Sequence, residues 1–160
     1  ELTGPEGIRQ VPIQEFYTGP GKTVRRHEEV MTAIRIRRRD YEGYTGCYIK
    51  YGKRNAMEIA TLGCACLVKL SWDKKVVEDM RIAYGVAAPT PVRCPETEKS
   101  VSGQAVSKAL LLQTGKGVLN EVNPRTSWRA SKEFRLQLVE ELAKRAMAQA
   151  IRNGGGEVDA

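Results

Sequence analysis

Apolar and polar residues alternate along the first half of the chain, which predicts β-strands. Four apolar or β-branched residues occupy alternate positions of segment 28–36, namely Val30, Thr32, Ile34 and Ile36. This spacing predicts a strand with one buried face. Three more strands are predicted at 47–51, 59–70 and 76–88, with WDKK at 72–75 as the turn between the last two. Because short turns join consecutive strands, we predict an antiparallel meander.

The second half of the chain has the spacing of helices. Prolines in segment 89–95 end the last strand and start a helix, since proline fits a first helical turn but cannot donate in a central strand. A second helical segment is predicted at about 104–122, interrupted by Gly115 and Gly117. Strands followed by helices indicate an α+β domain with helices on one face of an antiparallel sheet of three to four strands.

The last helix has the clearest pattern. Ser127 or Ser131 supplies its N-cap, and Asn153 with three following glycines ends it. Apolar residues recur every four positions, at Phe134, Leu138, Leu142 and Ala146. We expect the glycine-rich tail 154–160 to be frayed.

Composition narrows the class of protein. A chain of 160 residues can bury roughly 70% of its unfolded surface without disulfides. No apolar run approaches the roughly 20 residues of a membrane helix, and the N-terminus lacks the apolar stretch of a signal peptide, so we expect a cytoplasmic protein. The net charge of +7 raises nucleic acid as a partner. We favour an ordinary basic surface, because no nucleic-acid-binding motif accompanies the charge.

The four cysteines do not form a metal-binding or catalytic pattern. Cys64 and Cys66 are separated by one residue and would point to the same face of a strand, while His27 is far away in sequence. No base is evident near any of the thiols. We therefore interpret the cysteines as buried, reduced side chains and predict neither a metal site nor a catalytic residue.

The first 23 residues resemble the end of another domain. A GPEG turn at Gly4–Gly7 joins two short strand-like runs, and a breaker-rich TGPGKT segment follows. The ending GKT matches that of a phosphate-binding loop, but Phe16 stands where the motif requires its first glycine. An interdomain turn is the favoured interpretation. The chain also begins with Glu1 rather than Met, which suggests a fragment of a longer protein.

The stretch 48–65 carries the strongest functional signal. It joins two predicted strands through a charged connection that contains Lys50, Arg54 and Glu58. Two cations beside a carboxylate suit phosphate, ribose or the edge of a heteroaromatic ring. Ile59 follows and offers an apolar surface for a flat ring. From composition alone, a solvent-exposed ion pair explains the same residues and is favoured.

A second polar segment, PRTSWRASKEFR at 124–135, precedes and enters the last helix. Three arginines lie within it, at Arg125, Arg129 and Arg135. A helix start can present free N–H groups to an anion. The favoured alternative is simple capping by serine with packing of Trp128 and Phe134.

Four segments carry a family resemblance. They read FYTGPGKT at 16–23, KYGKRNAMEIATLGCA at 50–65, RIAYGVAAPTPVR at 81–93 and SWRASKEFRLQL at 127–138. In order and over nearly the whole chain, they resemble the C-terminal half of FAD-binding subunits of the molybdenum hydroxylase flavoprotein family. That family includes bacterial xanthine dehydrogenases and carbon monoxide dehydrogenases.

The resemblance implies a domain organisation and a cofactor. Residues 1–23 would end a central FAD-binding domain, 24–153 would form the C-terminal domain, and 154–160 the tail. The glycine-rich loops that hold the FAD diphosphate in the family have no counterpart here, so the fragment alone should bind FAD weakly or not at all and be inactive.

The resemblance also implies site residues. Met31 matches a residue close to the flavin, and Lys50 and Arg54 match basic residues that line its pocket. Ile59 matches the aliphatic residue that covers one face of the isoalloxazine ring, with Glu58 beside it. Nearby cations would stabilise the reduced, anionic flavin.

Partners and departures follow from the same resemblance. The family's molybdopterin-binding and iron–sulfur subunits, the latter with 2Fe-2S clusters, would pass electrons to FAD and then to an acceptor such as NAD. Pro20 stands where animal enzymes have a tyrosine that helps to hold NAD, and Met57 stands where they have an acid. Two other classes of function remain open: a nonenzymatic assembly module and a basic nucleic-acid binder.

Overall fold

The computed structural model describes residues 1–54 and 56–158. The chain divides into two compact units, the first comprising Glu1–Glu42 and the second beginning at Gly43. Each unit is described by itself.

The first unit is built from short strands. β1 (Leu2–Gly4) pairs antiparallel with β2 (Gly7–Arg9) and with β5 (Val30–Met31), in the order β2-β1-β5. A four-residue helix, α1 (Ile13–Phe16), precedes the two-stranded hairpin β3 (Tyr17–Gly19) and β4 (Lys22–Thr23). A 3₁₀ turn spans Arg38–Asp40. The predicted Gly4–Gly7 turn is confirmed, and the GPGKT segment forms the tip and second strand of a hairpin.

The predicted strand at 28–36 is wrong beyond β5. Val30, Ile34 and Ile36 are 65%, 76% and 70% exposed, so their alternation does not mark a buried face. The buried residue of this segment is the charged Glu29. Its carboxylate forms a bidentate ion pair with Arg9, with N–O distances of 2.6 and 2.8 Å. Polar pairing rather than an apolar face positions the segment.

The second unit contains the main sheet. Its strands are β6 (Thr45–Tyr51), β7 (Leu62–Leu70), β8 (Val76–Gly85), β9 (Val92–Arg93) and β10 (Gln104–Ala105). All described pairings are antiparallel, in the order β10-β8-β7-β6 with β9 also on β8. The meander is confirmed. β7 begins at Leu62 rather than 59, and β8 ends at Gly85 rather than 88, where Val86 has a φ of 70° that interrupts strand geometry.

Helices α2 (Pro95–Val101), α3 (Lys108–Gly117) and α4 (Lys132–Asn153) follow, with a 3₁₀ turn at Val118–Asn120 after α3. α2 packs on β8, α4 packs on β6 and β7, and α3 packs on α4. The α+β fold with an antiparallel sheet and helices packed on it is therefore confirmed.

Two details of the helices differ from expectation. Segment 104–105 is a strand, and Gly115 does not interrupt α3, whereas the α-helix does end at Gly117 and the chain continues as the 3₁₀ turn. A Cβ atom on Gly115 would lie 3.0 Å from the Glu140 carbonyl oxygen, so this glycine permits α3 and α4 to approach closely. Ser131, rather than Ser127, caps α4, with its hydroxyl accepting from the Phe134 N–H at 3.2 Å.

The core lies between the sheet and the helices. Every second residue of β7 from Leu62 to Val68 is fully buried, including Cys64 and Cys66. Burial raises the pKa of Cys64 and of Cys94 to about 12, so these thiols stay protonated. Among the described residues no group of three or more His, Cys, Asp or Glu side chains is arranged to hold a metal ion.

The chain after α4 folds back on the domain as far as it is described. The Gly156 N–H donates to the Ile151 carbonyl at 3.0 Å, and Val158 packs against the core. Residues 154–158 therefore differ from the expected frayed tail, while 159 and 160 lie outside the described residues. None of the helices in the described part of the chain combines the length and apolar character that crossing a membrane requires.

Candidate functional site

The connection between β6 and β7 forms the candidate site. Tyr51 and Leu62 are the last paired residues of the two strands, and the Thr61 N–H donates to the Tyr51 carbonyl at 2.8 Å. The chain between them leaves the sheet as an irregular loop, 52–61, of which Asn55 lies outside the described residues. The predicted charged loop between two strands is confirmed.

Glu58 organises this loop. Its carboxylate accepts from the backbone N–H of Arg54 and lies against Gly52. The Glu58 carbonyl accepts from the Lys50 ammonium at 2.6 Å. Hydrogen bonds from the backbone of Arg54 and then of Lys53 lower the pKa of the Glu58 carboxyl below its ordinary value. Glu58 is therefore ionised at neutral pH and fixes the loop conformation.

The two predicted cations do not form the expected surface ion pair with Glu58. The Arg54 guanidinium donates to the Met57 carbonyl at 2.8 Å, and Lys50 also uses a carbonyl as its partner. Met57 has a φ of 52°, the left-handed conformation that is uncommon for residues other than glycine. Both cations thus remain electrostatically available to a ligand while their side chains are held in place.

The apolar residues of the loop face solvent. Met57 is 95% exposed and Ile59 is 66% exposed. The structure therefore brings Lys50, near the end of β6, together with Arg54, Glu58 and Ile59 of the loop. Met31 belongs to β5 in the first unit, where it is half exposed.

The sheet face beside the loop, on the side away from the helices, contains two glycines in neighbouring strands. Lys50, Gly63 and Gly85 lie in one row across β6, β7 and β8. A Cβ atom on Gly85 would meet no other atom within 4 Å, so the surface there is open. A planar group can approach the backbone closely at Gly85.

Tyr48 is a member of the site that the sequence did not single out. A Cβ atom on Gly63 would lie 2.8 Å from the Tyr48 hydroxyl oxygen and 3.4 Å from its ring, so the ring lies across this glycine. Tyr48 itself is 64% exposed. The signal was the pattern of β7, in which Gly63 and Ala65 alternate with buried residues and leave room for an aromatic ring on the other face.

The start of α4 lies at the same end of the sheet as the loop. The Phe134 ring meets the Tyr51 ring edge to face, with centroids 6.0 Å apart. Within the first turn of α4 the Lys132 N–H donates to Thr126 and the Phe134 N–H to Ser131. The capping interpretation is correct for these N–H groups. Trp128, however, is 83% exposed rather than packed.

Residues 47–150 match the family model for the carbon monoxide dehydrogenase flavoprotein C-terminal domain. The chain therefore belongs to this family. It is 39% identical over 158 residues to the xanthine dehydrogenase FAD-binding subunit of Escherichia coli O157:H7, covering 99% of this chain and 53% of that protein.

Carbon monoxide dehydrogenases are also similar. The medium chain of the Hydrogenophaga pseudoflava enzyme is 28% identical over 149 residues, which cover 93% of this chain and 50% of that one. A solved structure of reconstituted CO dehydrogenase from Oligotropha carboxidovorans superimposes with a TM-score of 0.83 at 25% identity, covering 95% of this chain and 52% of that chain. The chain thus spans about half the length of the relatives that it matches.

Proposed function

We propose that this chain forms one wall of the flavin pocket in an FAD-binding subunit of a xanthine dehydrogenase-like oxidoreductase. The observation that carries the proposal is the loop after β6, where an exposed Ile59 stands beside two positioned cations, Lys50 and Arg54. Family membership and the likeness to a subunit named for FAD binding support it.

The residues of the loop fit this cofactor. The isoalloxazine ring has flat faces that suit an aliphatic cover and a polar edge that gains negative charge when FAD is reduced, so it also suits nearby cations. Ile59 would exclude water from one ring face, Lys50 and Arg54 would supply positive potential, and Glu58 would hold the loop in shape. FAD, when bound, supplies the capacity to take up and release electrons. Met31, in the first unit, is proposed as a flavin-contacting residue from the family resemblance alone.

The proposal extends to the complete enzyme. Residues 1–23 would end a central FAD-binding domain, with 24–153 as the C-terminal domain and 154–160 as its tail. Partner subunits would carry molybdopterin and 2Fe-2S clusters, and electrons would leave FAD for an acceptor such as NAD. We place this enzyme in the cytoplasm and its substrate among purines or similar N-heterocycles.

The test uses the complete FAD-binding subunit with two substitutions. Ile59→Asp should weaken FAD binding by about tenfold or more, because it sets a charge against an apolar ring at a cost of about 1–3 kcal/mol. Arg54→Ala should shift the flavin reduction potential downward, because it removes a positive charge that favours the anionic reduced form. Flavin absorbance and spectroelectrochemical titration measure both effects.

Matched controls are available on the same domain. Leu112→Asp places a carboxylate at a half-exposed apolar position of α3, and Lys69→Ala removes a cation from β7. Both controls should leave FAD affinity and potential unchanged. Unaltered flavin spectra and electron transfer in Ile59→Asp and Arg54→Ala would refute the proposal.

A further inference from the structure

Three arginines at the start of α4 lack an acidic partner. Arg125, Arg129 and Arg135 form no ion pair within the described part of the chain, whereas eight other arginines do. The nearby acids are engaged elsewhere. Glu133 bonds to Ser131 and to its own backbone N–H, and Glu121 caps the start of α2. This region therefore carries uncompensated positive charge.

One of these three positive charges, that of Arg135, is buried. It is 1% exposed, and its guanidinium donates to the Arg125 carbonyl and to the Ser127 hydroxyl. Its Nε–H has no hydrogen-bond partner among the described residues. Burial, followed by the charges of Arg125 and Arg129, lowers its pKa from the ordinary value. A buried cation without a carboxylate is costly, and an anion held above it would offset that cost.

An exposed aromatic residue lies among these arginines. Trp128 is 83% exposed, and the Arg129 guanidinium stacks on its ring at 4.6 Å from the centroid. Tryptophan and arginine are the residue types that dominate the energetics of protein interfaces. Stacking also holds the Arg129 guanidinium in a fixed orientation, which reduces the entropy lost when it binds a carboxylate.

A protein partner fits this surface better than a small anion. Two N–H groups of the first turn of α4 are bonded to Thr126 and Ser131, so the helix start offers few free donors to a phosphate. A small anion would also leave the ring of Trp128 in water. A polypeptide segment can supply both carboxylates for the arginines and an apolar contact for the indole.

We propose that Arg125, Trp128 and Arg129, supported by Arg135, form a docking surface for an acidic polypeptide segment of a partner protein. The surface adjoins the loop after β6 through the contact between Tyr51 and Phe134. A bound partner would therefore cover the same end of the sheet as the candidate flavin wall. The proposal goes beyond that function, because none of its residues belongs to the loop and its ligand is not flavin.

The experiment uses Trp128 as its own reporter. The chain has two tryptophans, so Trp72→Phe leaves Trp128 as the single source of indole fluorescence. Titration of this protein with a poly-glutamate peptide should shift the Trp128 emission, and added salt should weaken binding because exposed charges are screened. Arg125→Ala with Arg129→Ala should weaken binding by about a hundredfold, or about tenfold for each charge.

A charge-matched control uses the other end of α4. Arg145→Ala with Arg152→Ala removes the same number of positive charges from the later part of α4, where Arg145 already pairs with Glu141. It should leave the poly-glutamate affinity within about twofold. Equal loss in both double variants would mean attraction to net charge alone and would overturn the proposal. A second control titrates the protein with inorganic phosphate at a concentration equal to that of the peptide carboxylates. The same change in Trp128 emission would overturn the proposal in favour of a small-anion site. Because the flavin test relies on Ile59 and Arg54, the two proposals can fail separately.

Discussion

Different interactions stabilise each of the two units internally. From Gly43 onward, a continuous set of buried apolar residues links the sheet to α2, α3 and α4. Among residues 1–42, Leu2 and Glu29 are the only buried residues. That unit depends on ion pairs and on backbone bonds, such as the N-terminal amino group donating to the Ala33 carbonyl at 2.9 Å. One unit is organised by burial of apolar surface and the other by polar pairing.

This difference has a physical consequence for how each unit responds to change. Apolar burial depends on volume and packing, so it is sensitive to side-chain truncation and nearly insensitive to pH. Carboxylate–guanidinium pairs depend on ionisation, so they respond to acid. The pairs between Arg9 and Glu29 and between Arg35 and Glu1, both with 2.6 Å contacts, should therefore define the weak point of the first unit.

The largest effect is expected for truncation in the core of the second unit. Ile82 lies in β8 with no exposed surface. Ile82→Ala should lower the free energy of unfolding by about 2–5 kcal/mol, because it removes buried apolar volume and leaves a cavity. Urea denaturation followed by circular dichroism measures the change. Leu112→Ala, on an exposed face of α3, should cost less than about 0.5 kcal/mol.

Equal destabilisation by Ile82→Ala and Leu112→Ala would show that apolar burial does not dominate this unit. A loss confined to residues 1–42 would contradict the comparison as well. Amide exchange of β7 and β8 distinguishes these outcomes from the expected one.

The contrast also explains how far the sequence could predict the fold. In the second unit, the alternation of β7 and the four-residue spacing of α4 report burial directly, and these elements were predicted nearly at their true positions. In the first unit, Val30, Ile34 and Ile36 alternate without being buried. Periodicity indicates a strand only where an apolar core exists to receive one face.

The candidate site shows a similar limit. The charged loop was predicted correctly because its boundaries are set by two strands with clear patterns. The hydrogen-bond partners of its charged side chains were not predicted correctly. Composition cannot distinguish a carboxylate that pairs with a guanidinium from one that accepts backbone N–H groups. The role of Gly63 beneath Tyr48 depends on register across β6 and β7, which emerges only from the paired sheet.

A smaller effect is expected where the second unit itself uses a buried charge. The Glu98 side chain is 11% exposed, accepts from Arg93 at 2.6 and 2.5 Å, and accepts from the Ile82 N–H at 2.9 Å. Glu98→Gln should lower the free energy of unfolding by about 1–3 kcal/mol, since an uncharged amide satisfies these donors less well. Thermal and urea denaturation measure the loss.

A surface pair provides the matched control. Glu78 pairs with Lys69 at 3.5 Å with both side chains about half exposed. Glu78→Gln should change stability by less than about 1 kcal/mol. If Glu98→Gln and Glu78→Gln were equally stable, burial would not strengthen the pair between Glu98 and Arg93. That result would weaken the distinction between a unit stabilised by burial and a unit stabilised by polar pairing.

The smallest effect on the whole chain, and the most local, concerns Glu29. The hydrogen bonds from Arg9, followed by the backbone bond from Arg26, lower the pKa of Glu29 from 4.5 to about 2. Because the folded pKa lies below the ordinary one, this carboxylate stabilises the first unit fully above about pH 4.5. That contribution is lost as the pH falls from about 4.5 to about 2. NMR chemical shifts of β1, β2 and β5 should change over this range, while those of the buried β7 residues Leu62, Cys64 and Cys66 stay constant, because β7 contains no carboxyl group.

Two variants test whether Glu29 is the cause. Glu29→Gln removes this titrating group, so the first unit should be less ordered at pH 7 and should lose most of its change between about pH 4.5 and 2. The change that remains would come from Glu1 and its pair with Arg35. Glu28→Gln alters the adjacent exposed residue and should retain the acid transition. An unchanged transition in Glu29→Gln would assign it to another carboxylate. A transition in the buried β7 residues over the same range would mean that polar pairing controls both units, because β7 itself contains no group that titrates there.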